Sequence, residues 1–207
     1  MGDHIQVPSG TVPTAGAPTT FTSDLSLDKY KVTRNAYMDA YPSPKLNGIC
    51  VAACVFDKSD RVLLLQRAAH DSMPLRWEIP GGACDKEDES LMHGAVRELW
   101  EEAGVRAVSV DALIGEGYGF FSRRGALIWK FAFIVTVETH DVKLDPNEHQ
   151  SFVWATEDEV RAKKCGDIDL VYTSENQLKE ILVAFEWKKA KVAQGSDEGM
   201  VSASTYL

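Results

Sequence analysis

Residues Ser90 to Val105 constrain the fold most, because they fix a helix, its end and its buried face together. Leu91, Ala95, Leu99 and Ala103 recur every four positions, which predicts an apolar stripe along a helix from about Ser90 to Ala103. Gly104 follows as a natural left-handed cap, and Val105 supplies the apolar contact after it. A stripe of this kind has to be buried against another layer of structure.

The rest of the chain supplies that layer. Ile49 to Phe56 and Val62 to Gln66 are apolar runs separated by the polar Asp57 to Asp60, which predicts a hairpin. Trp77 to Pro80 reads as short and extended. Leu127 to Val137 is the strongest strand, with aromatic and β-branched residues throughout. Two further helices open at Thr156 with Glu159 and at Ser174 with Gln177, each spaced as a capping box. The second carries Leu178, Ile181, Leu182 and Phe185 on one face and ends among Lys188, Lys189 and Lys191. Strands interleaved with helices around one core predict an α/β layered domain.

The ends read differently. Met1 to Thr20 is rich in Gly, Pro, Thr and Ala and shows no helix or strand period, so a flexible leader is expected there. Residues 1–45 are taken as an N-terminal extension, 46–193 as the domain and 194–207 as a flexible tail. Hydrophobic residues make up 44% of the 207, enough to fill a core. No apolar run is long enough to span a bilayer, and the N-terminus lacks a secretory pattern; an intracellular, cytoplasmic protein is expected. The net charge of −9 argues against a general nucleic-acid binder. It leaves room for a phosphate ligand where a bound cation reverses the local sign. Cys50, Cys54, Cys84 and Cys165 match no zinc spacing and read as core or ordinary residues.

Chemistry concentrates on the same helix. Glu98 and Glu102 are four apart and Glu101 is three from Glu98, so the three carboxylates share a face. That face borders the apolar stripe and sits at the edge of the core. Like charges at this spacing cost a few tenths of a kcal/mol per pair in an isolated helix. A divalent cation turns the cost into attraction, and Mg²⁺ takes a few carboxylate oxygens together with waters and phosphates. Arg97, four residues before Glu101, can pair with it. Alone, the triplet would read as a solvated acidic face.

The surroundings change that reading, because the segment resembles the box of the Nudix hydrolase family. Gly81-Gly82, Glu89, Arg97, Glu98, Glu101, Glu102, Gly104 and Val105 follow the box, with one departure: six residues separate Gly82 from Glu89, where the family has five. The loop from Ala83 to Asp88 is thus one residue longer and acidic. Similarity extends over Leu46 to Ala193, through the run ending in Arg67, the lead-in Trp77 to Gly82, and a segment with Glu148 six residues before Trp154. The resemblance implies a Nudix α/β/α sandwich, with a mixed sheet and a loop-helix-loop box, and a Mg²⁺-dependent hydrolase in which Mn²⁺ can substitute.

It also implies roles. Glu98 and Glu102 are metal ligands, with the Gly81 carbonyl as a further one. Glu101 and Glu148 are each candidates for ligand or general base, and Arg97 orients the cluster. Arg67 joins the substrate-binding set. In the Gly-rich stretch after the helix, Tyr118, Phe120 and Phe121 could stack on a base and Arg123 and Arg124 could grip phosphate; ordinary loop anchoring explains them as readily. The substrate is expected to be a small molecule carrying a diphosphate, a nucleoside diphosphate linked to another moiety before an inositol or prenyl diphosphate. A non-catalytic sensor on the same fold should have lost box carboxylates, and none is lost. Oligomeric state is not legible.

Overall fold

Alternation along the central strands sends successive side chains into two different cores. The computed structural model describes residue 16 and residues 19–42 and 44–202, so most of the expected leader, and residues 203–207 of the expected tail, fall outside the described residues. In chain order the elements are β1 (Thr22–Ser23), a 3-10 turn (Leu25–Tyr30), α1 (Arg34–Ala40), β2 (Gly48–Cys54), β3 (Val62–Arg67), β4 (Trp77–Glu78), β5 (Gly81–Ala83) and α2 (Leu91–Ala103). There follow β6 (Ala107–Leu113), β7 (Tyr118–Phe121), β8 (Leu127–Val137), β9 (His149–Ala155), α3 (Glu157–Ala162), β10 (Lys164–Cys165), β11 (Ile168–Asp169) and α4 (Glu175–Ser202).

The larger sheet runs β1-β6-β8-β2-β5, with β7 paired to the start of β8. It is mixed: β2 lies parallel to β8 and antiparallel to β5. A smaller sheet runs β4-β3-β9. Ile49, Val51 and Ala53 of β2, Phe131 and Phe133 of β8 and Leu63 and Leu65 of β3 pack with Leu91, Ala95 and Leu99 of α2. The intervening Ala52, Cys54, Ala132, Ile134 and Leu64 pack with Ile181, Ala184 and Phe185 of α4. Two half-cores on opposite faces of sheet make the α/β/α sandwich expected from sequence.

Two expectations need correction. β2 and β3 do turn back on each other, with Phe56 bridged to Val62, but they diverge into separate sheets and do not form one hairpin ladder. The Thr156 capping box is complete, whereas the Ser174 box is half made. The Gln177 N–H donates to Ser174 Oγ at 3.1 Å, but the Gln177 side chain turns inward to Lys130. A buried ammonium is a stronger partner than an exposed helix end. The α4 helix continues to Ser202, past the start of the expected tail.

The extension is bound to the domain over its described part. β1 pairs with β6, and Tyr30 packs against Phe131 and Phe133. Val32 O accepts from Leu91 N at 3.1 Å, and Arg34 Nη1 donates to Cys84 O at 2.8 Å. Residues 22–41 therefore brace the loop that leads into α2.

Candidate active site

The helix α2 starts and stops as its sequence dictates. Ser90 caps it by accepting from His93 N, and Gly104 closes it in the left-handed conformation at φ 62°. Burial of the apolar stripe draws Glu98 and Glu102 to the core edge, where they are 8% and 3% exposed. Glu101, pointing further out, has a half-exposed side chain.

β5 meets these carboxylates at close range. Gly81 N donates to Glu102 Oε2 at 2.7 Å. A Cβ on Gly82 would come within 2.8 Å of the Glu98 carboxylate, so a side chain there would occupy the space in which the carboxylates operate. Burial above all, then the charges of Glu78 and Glu98, pushes the Glu102 carboxyl well above the usual range, against the pull of the Gly81 N–H. Burial likewise pushes Glu98 up to about 7, although Arg97 opposes the shift. Buried carboxylates that repel one another and have few counter-charges could hold a cation.

Arg97 holds the cluster in place. It donates through Nε and Nη2 to the two oxygens of Asp88, at 2.9 and 3.0 Å. Nη1 reaches Glu98 at 3.0 Å and Glu101 at 2.8 Å, and Nη2 also reaches Ala83 O at 2.9 Å. The acid that locks Arg97 is thus Asp88, and Glu89, which matches the box by its distance from Arg97, is turned toward His93 at 3.5 Å. Asp88 turns inward from this longer loop and is 7% exposed. Burial would raise the Asp88 carboxyl, but Arg97 and the Asp85 N–H bring it below the usual carboxylate range. Gly94 makes room, since a Cβ there would lie 2.8 Å from Asp88 Oδ2.

Across from α2, Glu148 and the buried His149 offer ligand atoms that all lie within 4.8 Å of one another and of Glu102. Glu148 is exposed, and its neighbour His149 has Nε2 3.3 Å from Glu78 Oε1. Arg67 pairs with Glu78, and with Asp71 at 2.7 Å.

From β5 a cleft of about 430 Å³ runs past Arg67 to β7 and the first turn of α4. Tyr118, Phe120, Phe121, Arg123, Lys130 and Gln177 are among the residues that line it. Arg123 Nη2 donates to Ser72 O at 2.6 Å, tying the β7–β8 turn to the loop after β3. Arg124 is exposed and does not line this cleft. The sequence pattern singles out neither Asp88 nor Lys130. Lys130 did leave a signal: it is the one charged residue in the Leu127 to Val137 run.

Comparisons with known proteins bear on the family and the fold. The NUDIX domain family model matches residues 46–175. A MutT-like protein of Streptomyces ambofaciens is 33% identical over 118 residues, covering 57% of this chain and 70% of that protein. The CTP pyrophosphohydrolase of Escherichia coli strain K12 is 33% identical over 111 residues, covering 53% and 76% respectively. The crystal structure of a MutT protein from Methanosarcina mazei Go1 shares the fold at a TM-score of 0.55. It is 24% identical and covers 69% of this chain and 94% of that one.

Proposed function

Since this chain belongs to the NUDIX domain family and is a pyrophosphohydrolase of that type, acting on diphosphate-containing substrates, we propose that it cleaves a nucleoside diphosphate linked to another moiety with the help of Mg²⁺. The observation that carries the proposal is the buried pair Glu98 and Glu102 set against Gly81 and Gly82, which line a cleft together with aromatic side chains. Glu98, Glu102 and the Gly81 carbonyl would hold the ion, with Glu101 as a further ligand and Mn²⁺ as a substitute. Bound there, the cation would neutralise charge on the diphosphate and make attacking water more acidic.

The chain's own groups do the rest. Asp88 fixes Arg97, and Arg97 fixes the rotamers of Glu98 and Glu101. Glu148 is the better-placed general base, because Glu101 is already paired with Arg97 at 2.8 Å. Near the Glu102 carboxylate, Glu148 would take the proton from water as the anhydride opens. Tyr118 and Phe120 would stack on the nucleobase, and Arg123 would support the phosphates. Arg67 contributes indirectly, by holding Glu78 at the cleft.

The division into an extension of 1–45, a domain of 46–193 and a tail of 194–207, and an intracellular location, belong to the same proposal. Among the described residues, no helix is long and apolar enough to cross a membrane. The test is a phosphate-release screen with Mg²⁺ over nucleoside triphosphates, nucleotide sugars, dinucleoside polyphosphates, inositol pyrophosphates and prenyl diphosphates. Turnover of nucleotide substrates supports the proposal. Turnover confined to inositol or prenyl compounds overturns its substrate part.

A further inference from the structure

An ion pair lies buried in the wall of the cleft, away from the carboxylates of α2. Lys130 Nζ is 3.0 Å from Glu180 Oε2 and 2.8 Å from Gln177 Oε1. The side chains of Lys130 and Glu180 are 13% and 4% exposed, and Glu180 Oε1 has no hydrogen-bond partner. Lys130 lines the cleft together with Gln177 and Tyr118. The strand register places it: Tyr118, Lys130 and Cys50 are direct partners on β7, β8 and β2, and Cys50 pairs with Ala83 on β5. Lys130 is therefore two strands from β5, about 10 Å at the usual strand spacing.

Holding α4 to the sheet does not require this pair. Leu178, Ile181, Ala184 and Phe185 already anchor the helix in its half-core. A buried ion pair is often no more stable than apolar residues of the same size, so its presence in a cleft wall asks for another reason. An ammonium has three protons. Gln177 and Glu180 account for two, and Glu180 also cancels the charge. The third faces the Tyr118 hydroxyl, which already interacts with Lys130, so a ligand oxygen would share or replace that partner at a donor with little net charge; the ring centroid is 6.0 Å from Nζ. A phosphate seeks net positive charge and is better served by Arg123 or by a cation beside Glu98. A carbonyl oxygen seeks a fixed donor and tolerates neutrality.

We propose that Lys130, held by Glu180 and Gln177, is a specificity residue that donates to a carbonyl oxygen on the edge of a planar head group stacked near Tyr118. The enzyme then selects nucleobases carrying a keto oxygen over adenine, which has none. This rests on the nucleotide reading above. The distance to β5 suits it, because a ribose and a phosphate separate such a base from the bond that is cut.

The test measures kcat/KM for CTP, UTP, GTP and ATP with Mg²⁺ in the full chain, in Lys130→Met and in the double variant Lys130→Met/Glu180→Met. The single variant leaves a buried carboxylate unpaired and is expected to lose stability. The double variant removes both charges and is expected to melt near the wild-type temperature. The wild type should favour the three keto nucleotides by about tenfold or more, as one charge-assisted hydrogen bond allows. In the double variant the preference should collapse, through a KM that rises more for the keto nucleotides than for ATP. A folded double variant that keeps the preference overturns the proposal, as does a parallel loss on all four substrates. Turnover of none of the four nucleotides, with turnover of an inositol or prenyl diphosphate, overturns the nucleotide reading itself and this assignment with it.

Discussion

The two ends of the cleft are built in different ways. At the α2 end, Gly81, Asp88, Arg97, Glu98 and Glu102 fall within one continuous segment, formed by β5, the loop after it and α2. At the β7 end, Cys50, Tyr118, Lys130 and Gln177 meet only because three strands and the start of α4 converge. The first end holds like charges that repel; the second holds a matched pair. Chemistry common to a family is thus written in a short local pattern, whereas the features that would choose a substrate are spread over distant segments.

Changes at the α2 end should therefore cost turnover on every substrate, and changes at the β7 end should cost affinity or selectivity. The largest effect is expected from Glu148→Gln. If Glu148 is the base, kcat should fall by about 10²–10⁴, while stabilisation by Mg²⁺ in a melting experiment persists. Equal loss of the Mg²⁺ effect would move Glu148 into the ligand set.

Next comes Asp88→Asn, which frees Arg97 from its bidentate partner. A fall of about 10- to 100-fold in kcat/KM is expected, the scale of losing a group that orients a metal ligand. Glu89→Gln should stay near wild type. The reverse ranking would restore Glu89 to the role its spacing suggests.

A smaller change is expected from Arg123→Ala. KM should rise by roughly three- to tenfold with kcat nearly unchanged, the mark of uniform binding. Arg124→Ala should change neither, since Arg124 does not line the cleft.

The smallest effect concerns pH and stability without metal. Burial raises the Glu98 carboxyl to about 7, from an ordinary value of 4.5, and Glu102 shifts the same way. The folded state then binds more protons than the unfolded one between those values, so stability falls as pH rises through that window. With chelator, the melting temperature should drop by a few degrees from pH 5 to pH 7.5. Mg²⁺ should stabilise more at the higher pH, and Glu98→Gln should flatten the chelated profile. A chelated profile that rises over this range would remove the claim that these carboxylates are destabilised by burial.

Legibility in the sequence follows the same division. The helix from Ser90 to Ala103 and the Thr156 capping box depend on neighbours a few positions away, so periodicity finds them. The mixed sheet depends on pairing between β2 and β8, some eighty residues apart, which no local pattern encodes. Asp88 was hidden because counting back from Arg97 reaches Glu89 first; only the path of the loop shows which acid turns inward. The half-made box at Ser174 fails for a tertiary reason, since Gln177 finds Lys130 across the cleft. Glu148, by contrast, is implied only by the resemblance of its segment, six residues before Trp154, to the family, and the fold brings its carboxylate near Glu102 at the start of β9.

The most direct test of the account compares wild type, Glu98→Gln and Glu102→Gln for Mg²⁺-dependent phosphate release from a nucleotide substrate, with the melting temperature of each protein taken with and without Mg²⁺. The account predicts folded variants whose metal-free stability is equal to or above that of the wild type, because like-charge repulsion has been removed. It predicts that both lose stabilisation by Mg²⁺ and that kcat/KM falls by about a hundredfold or more, beyond what loss of an outer-sphere partner costs. Near-wild-type turnover in both variants, with Mg²⁺ stabilisation intact, would contradict it.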